Sequence, residues 1–406
     1  MTEKSTYNYL IVYAIIYFFF NSFLLPQGLL YSSLLTPVML YFLFKERKIR
    51  CLILGGAFLL LPLPFHFYQG VETGSYLISV AMVFSILILF FASYNLVLNK
   101  EETMVKIFKK VLILNGFFVL MALLVLPFEN IRELLWYNEI ITKGLQVIPR
   151  LKLFTYEASY YSFIMMPVFL FFMLRILNGF EKHAMIIGLS IFLSLLLSLS
   201  FGVIASILFS LFIAMLYYWK LSNAFYKRFV FISSTAFIAI LVILAFVWPE
   251  NPIYFRINNI LNGQDTSAMG RLIYSFMFAK DLIVQYSPVF GIGPGQIKIV
   301  AHDMIVNHYQ YQGNIAEIVR IPNSMAEMLA VYGLYGFLAK LLAEIYFFFR
   351  FRLYQNTYSF ILFLFLFIYQ FTGSFISNAA EVAGWAFVFG LRFNEFNINS
   401  QKQETS

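Results

Sequence analysis

The chain has 406 residues, of which 61% are hydrophobic and 12% charged, with a formal net charge of +8 and a single cysteine. Soluble domains carry about a quarter charged residues, so this composition excludes a large soluble core and specifies an all-α, polytopic integral membrane protein. Cys51 alone cannot form an intrachain disulfide or a cysteine metal cluster. The basic residues are scattered between apolar blocks, a pattern that membrane topology explains and nucleic-acid binding does not.

About 20 apolar residues cross a bilayer. On that length the chain divides into twelve predicted spans: 7–25, 28–44, 51–67, 74–98, 111–128, 156–177, 184–200, 203–219, 229–248, 325–348, 357–372 and 376–391. The stretches 184–219 and 357–391 are read as hairpins of short helices, since either one as a single helix would far exceed the bilayer. The first block is too long for a signal-peptide core and lacks a small-x-small site, so no cleavage is expected. Five regions follow: N-terminal transmembrane helices 1–128, an outer loop 129–155, central helices 156–248, a large outer loop 249–324, and C-terminal helices with a cytoplasmic tail 325–406.

With the N-terminus inside, Lys45, Arg47, Lys48, Arg50, Lys100, Lys106, Lys109, Lys110, Lys182, Lys220, Lys227, Arg228, Arg350, Arg352 and Arg392 all fall in cytoplasmic segments. The short outer connectors contain no lysine or arginine, so both termini are predicted to be cytoplasmic. The two outer loops depart from this rule, and their cations point either to plain solvated surface or to an anionic ligand. Both loops are predicted to be partly helical. ENIRELLWYNEIITKGLQVI reads as an interfacial helix, and SAMGRLIYSFMFAKDLI repeats Met269, Leu272, Ile273, Phe276 and Ile283 at helical spacing.

The roughly 75-residue interruption from Trp248 to Asn323 is where the chemistry is expected, because ordered loops of such length are usually functional. Asp265-Thr266-Ser267 is an N-cap signal, placing Arg271 one turn into a helix. A helix start beside a guanidinium suits an anion, although an arginine anchoring an interfacial helix to headgroups has the same pattern. Arg150, Lys152 and Glu157 crowd the mouth of span 156–177. Glu157 reads as an acid complementing the helix dipole or as a general base for an acceptor hydroxyl. GIGPGQ at 291–296 lacks the Lys-Ser/Thr of a phosphate loop and is predicted to be a tight turn returning to the membrane surface. Asn323 is a cap or a ligand, and Ser324-x-x-Glu327 fits a capping box. His302 and His308 are candidate bases, and with Asp303 they offer too few ligands for a metal site. Glu381 is an intramembrane acid, functional by default or satisfied by packing. Lys340 and Glu344 read as an i,i+4 pair snorkelling at a helix end.

This arrangement resembles the O-antigen polymerases of the Wzy type and the related O-antigen ligases. The resemblance is carried by Arg150…Glu157-Ala-Ser159, by Gly270-Arg271 running to Pro288-x-x-Gly291-x-Gly293, and by Asn323…Gly333-x-x-Gly336; the first half of the chain matches only in hydropathy. It implies a glycosyltransferase of the bacterial inner membrane, acting at the periplasmic face on glycans carried by undecaprenyl diphosphate. Whole chains would be transferred to the non-reducing end of one repeat unit, with no cofactor or metal. The implied partners are the lipid-linked glycans, membrane lipids and a chain-length regulator. Arg150, Lys152, Arg271 and Asn323 would bind substrate. Arg271 would also offset leaving-group charge, with the base among Glu157, His302 and His308. The ligases place a histidine directly before the asparagine that opens the next helix; here that position is Pro322, which tilts the reading towards polymerase. The rival classes are ligase, lipid-linked oligosaccharide flippase and membrane acyltransferase. A transporter would show duplicated halves and charges near the midplane, and an acyltransferase a histidine near a span, where His183 and the apolar setting of His66 offer little.

Overall fold

In the computed structural model, residues 3–25, 30–138, 149–219, 252–309 and 319–398 are described. The chain begins with α1 (Tyr7–Phe20), then the short α2 (Tyr31–Leu34) and α3 (Thr36–Lys45). There follow α4 (Arg50–Tyr68), α5 (Thr73–Val97) and α6 (Glu101–Val125). The first loop holds α7 (Glu129–Leu135) and a two-stranded antiparallel hairpin, β1 (Trp136–Tyr137) with β2 (Arg150–Leu151). Next come α8 (Ala158–Leu177), α9 (Ala184–Ser198) and α10 (Phe201–Tyr217). The long loop carries α11 (Pro252–Leu261), α12 (Thr266–Met269), a π-helical turn (Gly270–Tyr274), α13 (Ser275–Gln285), α14 (Ile297–Val300) and α15 (His302–Tyr309). Finally α16 (Ser324–Arg350), α17 (Thr357–Tyr369) and α18 (Ala379–Gly390) close the bundle.

The protein is an all-α membrane protein: α4, α5, α6, α8 and α16 are each long and apolar enough to cross a bilayer, and the shorter apolar helices pack among them. Predicted span 229–248 lies outside the described residues; helix occupies each of the others. Two helices differ from prediction in shape. Residues 28–44 break at Leu35, because Pro37 has no N–H to give the carbonyl four residues back. The helix predicted from residue 111 starts ten residues earlier, at Glu101, because Met104, Ile107, Phe108 and Val111 bury one face while the lysines ride the other.

The core is built on α8. It is apolar all round and buried along most of its length, as such a helix must be. Phe171 packs against Phe108 at 5.6 Å and Phe393 at 4.5 Å between ring centroids, and Phe163 stacks on Tyr369 at 4.5 Å. Between helices in lipid, packing of this kind replaces the hydrophobic effect as the holding force.

The bundle has two distinct ends. At one, Arg175 bridges Glu181 (2.5 Å) and Glu395 (2.7 Å), and Arg392 donates to the Phe351 carbonyl. The other end gathers both loops. The long loop has its own apolar cluster, with Phe278, Ala279, Leu282, Ile292, Ile297 and Ile305 packed on Ala326, Ala330 and Val331 of α16. The π turn rotates the helix, so the buried stripe is Ser275, Phe278, Ala279, Leu282 and Ile283, while Leu272 and Ile273 of the predicted stripe are exposed.

The GIGPGQ segment docks into a break in α16. Gly333 adopts φ 62°, ψ −160°, opening the helix. Ile292 and Gly293 donate to the carbonyls of Ala330 and Val331, and Leu334 and Tyr335 donate to those of Pro288 and Val289, all at 2.9 Å. The far side of the segment is clamped by His66, whose Nε2 lies 2.8 Å from the Phe290 carbonyl, and by a reciprocal pair between Gln296 and the Glu72 backbone (3.0 and 3.1 Å). The predicted tight turn is present, and it is anchored on three helices.

Candidate active site

Where α8 begins, the chain brings both loops to the α17–α18 hinge, and a cleft of about 390 Å³ opens there. Its walls are Tyr156, Glu157, Ser159, Tyr160 and Phe163 from the head of α8, Arg271, Pro322, and Tyr369, Ser374, Phe375 and Asn378 from the hinge. Glu157 occupies the N-cap position of α8 in extended conformation, yet its side chain does not cap. Its carboxylate instead accepts from Ser159 Oγ at 2.5 Å and faces the cleft. The acid thus faces the cleft while still lying in the field of a helix N-terminus.

Arg271 stands on the π turn that follows α12. Asp265 caps this helix as predicted, its Oδ1 accepting from the Ala268 N–H at 2.7 Å. The widened turn is stabilised by Ser275 Oγ, which donates to the Gly270 carbonyl at 2.6 Å. Gly270 leaves room for the tip of Tyr309, whose Oη would lie 2.8 Å from a Cβ there. Asn323 finishes the mount. Its amide donates to the carbonyls of Arg271 (2.8 Å) and Phe371 (2.7 Å), and its Oδ1 caps α16 through the Ala326 N–H (2.9 Å). With both amide hydrogens spent and the side chain buried, Asn323 ties Arg271 to the hinge and acts as the cap, one of the two roles expected for it.

The other candidates fall elsewhere. Arg150 stacks its guanidinium on Tyr137 at 4.9 Å, and Lys152 lines a second cleft; neither lines the Arg271 cleft. His302 pairs with Asp303 at 2.8 Å, and His308 packs edge-on against Tyr274 and Phe278 at 4.4 and 5.1 Å. Neither histidine lines the cleft, so of the three candidate bases only Glu157 stands beside Arg271. The capping box is also corrected. Because Asn323 is the cap, Glu327 is one residue out of frame, and its Oε2 accepts from the Ile376 N–H of the hinge at 2.8 Å. Among the described residues no group of three or more His, Cys, Asp or Glu side chains is placed to hold a metal ion.

Residues 183–341 match the family model for O-antigen ligase. This short sequence stretch, about two-fifths of the chain, is similar to the O-antigen polymerase/ligase family, and the resemblance seen in the sequence stands. A search of curated proteins finds no significant match. The O-antigen ligase match takes in Arg271, Pro322 and Asn323 and implies an enzyme of glycan assembly. Glu157 and the hinge lie outside it.

Sequence reading missed the hinge. Ser374 and Asn378 line the cleft from a connector that looked empty because it holds no cation. Ser374 sits at φ 68°, a strained conformation for a residue with a Cβ, and its hydroxyl donates to Glu381 at 2.5 Å while accepting from Asn378 at 2.8 Å. Glu381 in turn pairs with Lys340 at 2.9 Å, and Gln370 donates to Glu344 at 2.7 Å. Lys340 and Glu344 therefore do not snorkel; they belong to a buried polar network under the cleft. The available signal was Ser374, Asn378 and Glu381 at i, i+4 and i+7 in an otherwise apolar hairpin. Arg320, a loop cation with no assigned role, stacks on the cleft wall at Phe375, 4.6 Å from its ring centroid.

Proposed function

We propose that the chain is a glycosyltransferase that polymerises oligosaccharide repeat units carried on undecaprenyl diphosphate, at the periplasmic face of the bacterial inner membrane. The observation that carries this reading is the pairing of Glu157 and Arg271 across one cleft at the loop end of the bundle. Arg271, with Arg320 at the rim, suits the diphosphate of the donor, since guanidinium binds such oxygens bidentately. An acceptor hydroxyl attacks the anomeric carbon from the opposite side, the bond from that carbon to the phosphate oxygen breaks, and its electron pair leaves on the diphosphate. Glu157 takes the hydroxyl proton, and the arginines offset the charge that grows on the leaving group. Because that group already leaves as a diphosphate, the scheme uses no metal.

Pro322 in the cleft favours polymerase, as the corresponding ligase position carries a histidine. The second reading is ligase, favoured by the description of the matching family. Surface polysaccharide from cells lacking the chain separates the two on a gel. Loss of a polymerase leaves single repeat units attached, loss of a ligase leaves none, and loss of a flippase strands lipid-linked units inside. Complementation with Arg271→Ala or Glu157→Gln is expected to reproduce the single-repeat pattern; long chains from both variants would refute the site.

A further inference from the structure

A second, larger cleft adjoins the first. Its empty volume is about 940 Å³, and it shares Tyr156 and Glu157 with the Arg271 cleft as a common wall. The remaining walls include Ser22, Glu133, Tyr137, Lys152, Phe154 and Thr155. We infer that this cleft is the acceptor subsite and holds the uncharged end of a saccharide, delivering one hydroxyl to Glu157. The inference rests on the Arg271 cleft being the donor site.

Three features of the cleft support this assignment. The first is charge. Glu133 and Glu157 set two carboxylates beside the ammonium of Lys152 and the Arg150 guanidinium on Tyr137, a balanced wall that offers a diphosphate no net attraction and accepts hydrogen bonds from a polyol. The adjoining cleft favours an anion, with Glu157 set against Arg271 in its wall and Arg320 on its Phe375. An anionic donor and a neutral acceptor are thereby sorted to different sides of one carboxylate.

The second is preorganised aromatic surface. Phe154 is wedged among Phe20, Phe118 and Phe23 at 5.0, 5.1 and 5.3 Å. Tyr137 is held by the β1–β2 pairing and by the Arg150 guanidinium on its ring. Rings fixed before the ligand arrives spend no ordering entropy on binding, which suits the apolar faces of sugar rings. This also gives Arg150 and Lys152 a role beside the acceptor in place of the one expected at the diphosphate.

The third is the way the shared wall is fixed. The Tyr156 N–H donates to Ser22 Oγ at 3.1 Å, and Thr155 Oγ1 donates to the carbonyls of Lys152 (2.7 Å) and Glu157 (3.0 Å). The backbone carrying Glu157 is thus locked between the two clefts, which holds its carboxylate at their common wall.

The test uses the full-length protein in lipid nanodiscs with two probes. One is the repeat-unit oligosaccharide cut from the host's own surface polysaccharide, followed by saturation-transfer NMR; the other is geranyl diphosphate, followed by calorimetry. Leu134 and Glu133 are both exposed on α7 at the cleft, so Leu134→Trp and Glu133→Gln can obstruct or neutralise it without disturbing the core. Leu134→Trp is expected to weaken oligosaccharide binding at least tenfold, and Glu133→Gln severalfold, with geranyl diphosphate affinity unchanged within twofold. Arg271→Ala should do the reverse. Failure of the oligosaccharide to bind, or binding insensitive to both α7 variants, would overturn the acceptor assignment and leave the donor site standing. Equal binding of geranyl diphosphate to Arg271→Ala would remove the donor reading itself.

Discussion

Arg271 reaches the cleft only because Asp265, Gly270, Ser275 and Asn323 each fix part of the turn beneath it. Lysine at this position would keep the charge and lose the planar fork. Arg271→Lys is therefore expected to slow chain elongation by at least tenfold, and Arg271→Ala by about 10²–10³, the usual cost of removing one preorganised donor to developing charge. Polymer length on a gel and turnover of purified lipid-linked repeat units would measure both. The Lys340–Glu381 pair makes a second prediction at this scale. Both side chains are largely buried within the protein, at 18% and 5% exposure. Removing one partner strands the other charge, so Lys340→Met should cost about 3–5 kcal/mol. Replacing both (Lys340→Met with Glu381→Leu) should cost less than the sum, as melting of the purified variants would show.

The element on which the outer end depends is the broken helix α16. Its opening at Gly333 exposes backbone groups that would be ruinous in lipid, and the Pro288–Gly293 segment satisfies them. A Cβ at Gly333 would lie 2.4 Å from the Val289 carbonyl oxygen, and one at Gly291 2.4 Å from that of Ala330, both at positive φ. Gly333→Ala and Gly291→Ala should thus each lose more than the ~1–2 kcal/mol that left-handed backbone alone costs, seen as a lowered melting temperature. Glu72 holds the opposite side of the same segment. Ser75 and then the Gly74 N–H stabilise its carboxylate and keep its pKa below the ordinary value. A depressed folded-state pKa contributes stability at neutral pH that is lost as the pH falls through that value. The melting gap between parent and Glu72→Gln should therefore be present at pH 7 and close as the pH falls below the ordinary glutamate range. The glycines, the cap at Asp265 and the turn at GIGPGQ were legible because each is a local rule of backbone chemistry. The anchoring bonds of His66 to Phe290, of Gln296 to Glu72 and across the α16 break were not, since each joins residues more than 30 apart in sequence and hydropathy is blind to it.

At the scale of the whole molecule, length and hydropathy located every described span, because a bilayer imposes a length that sequence must meet. Pairing of the two outer arginines was the weakest inference. Arg150 and Lys152 are near Glu157 in sequence, yet β2 directs them to the far side of the shared wall. Orientation is open to direct measurement. In a Cys51→Ala background, Asp303→Cys, whose side chain is 94% exposed, should react with a membrane-impermeant maleimide in intact spheroplasts. Lys182→Cys, at the end with the Arg175 bridges, should react only after permeabilisation; the opposite result would invert the topology.

The hinge residues Ser374, Phe375 and Asn378 are supplied by the last two helices of the chain. A nascent polypeptide synthesised only to the end of α16 would carry Glu157 and Arg271 with one side of their cleft missing. The cleft is thus walled on every side only once the helices flanking the hinge are made, and a chain cut short before α17 should bind no diphosphate even where it inserts in the membrane.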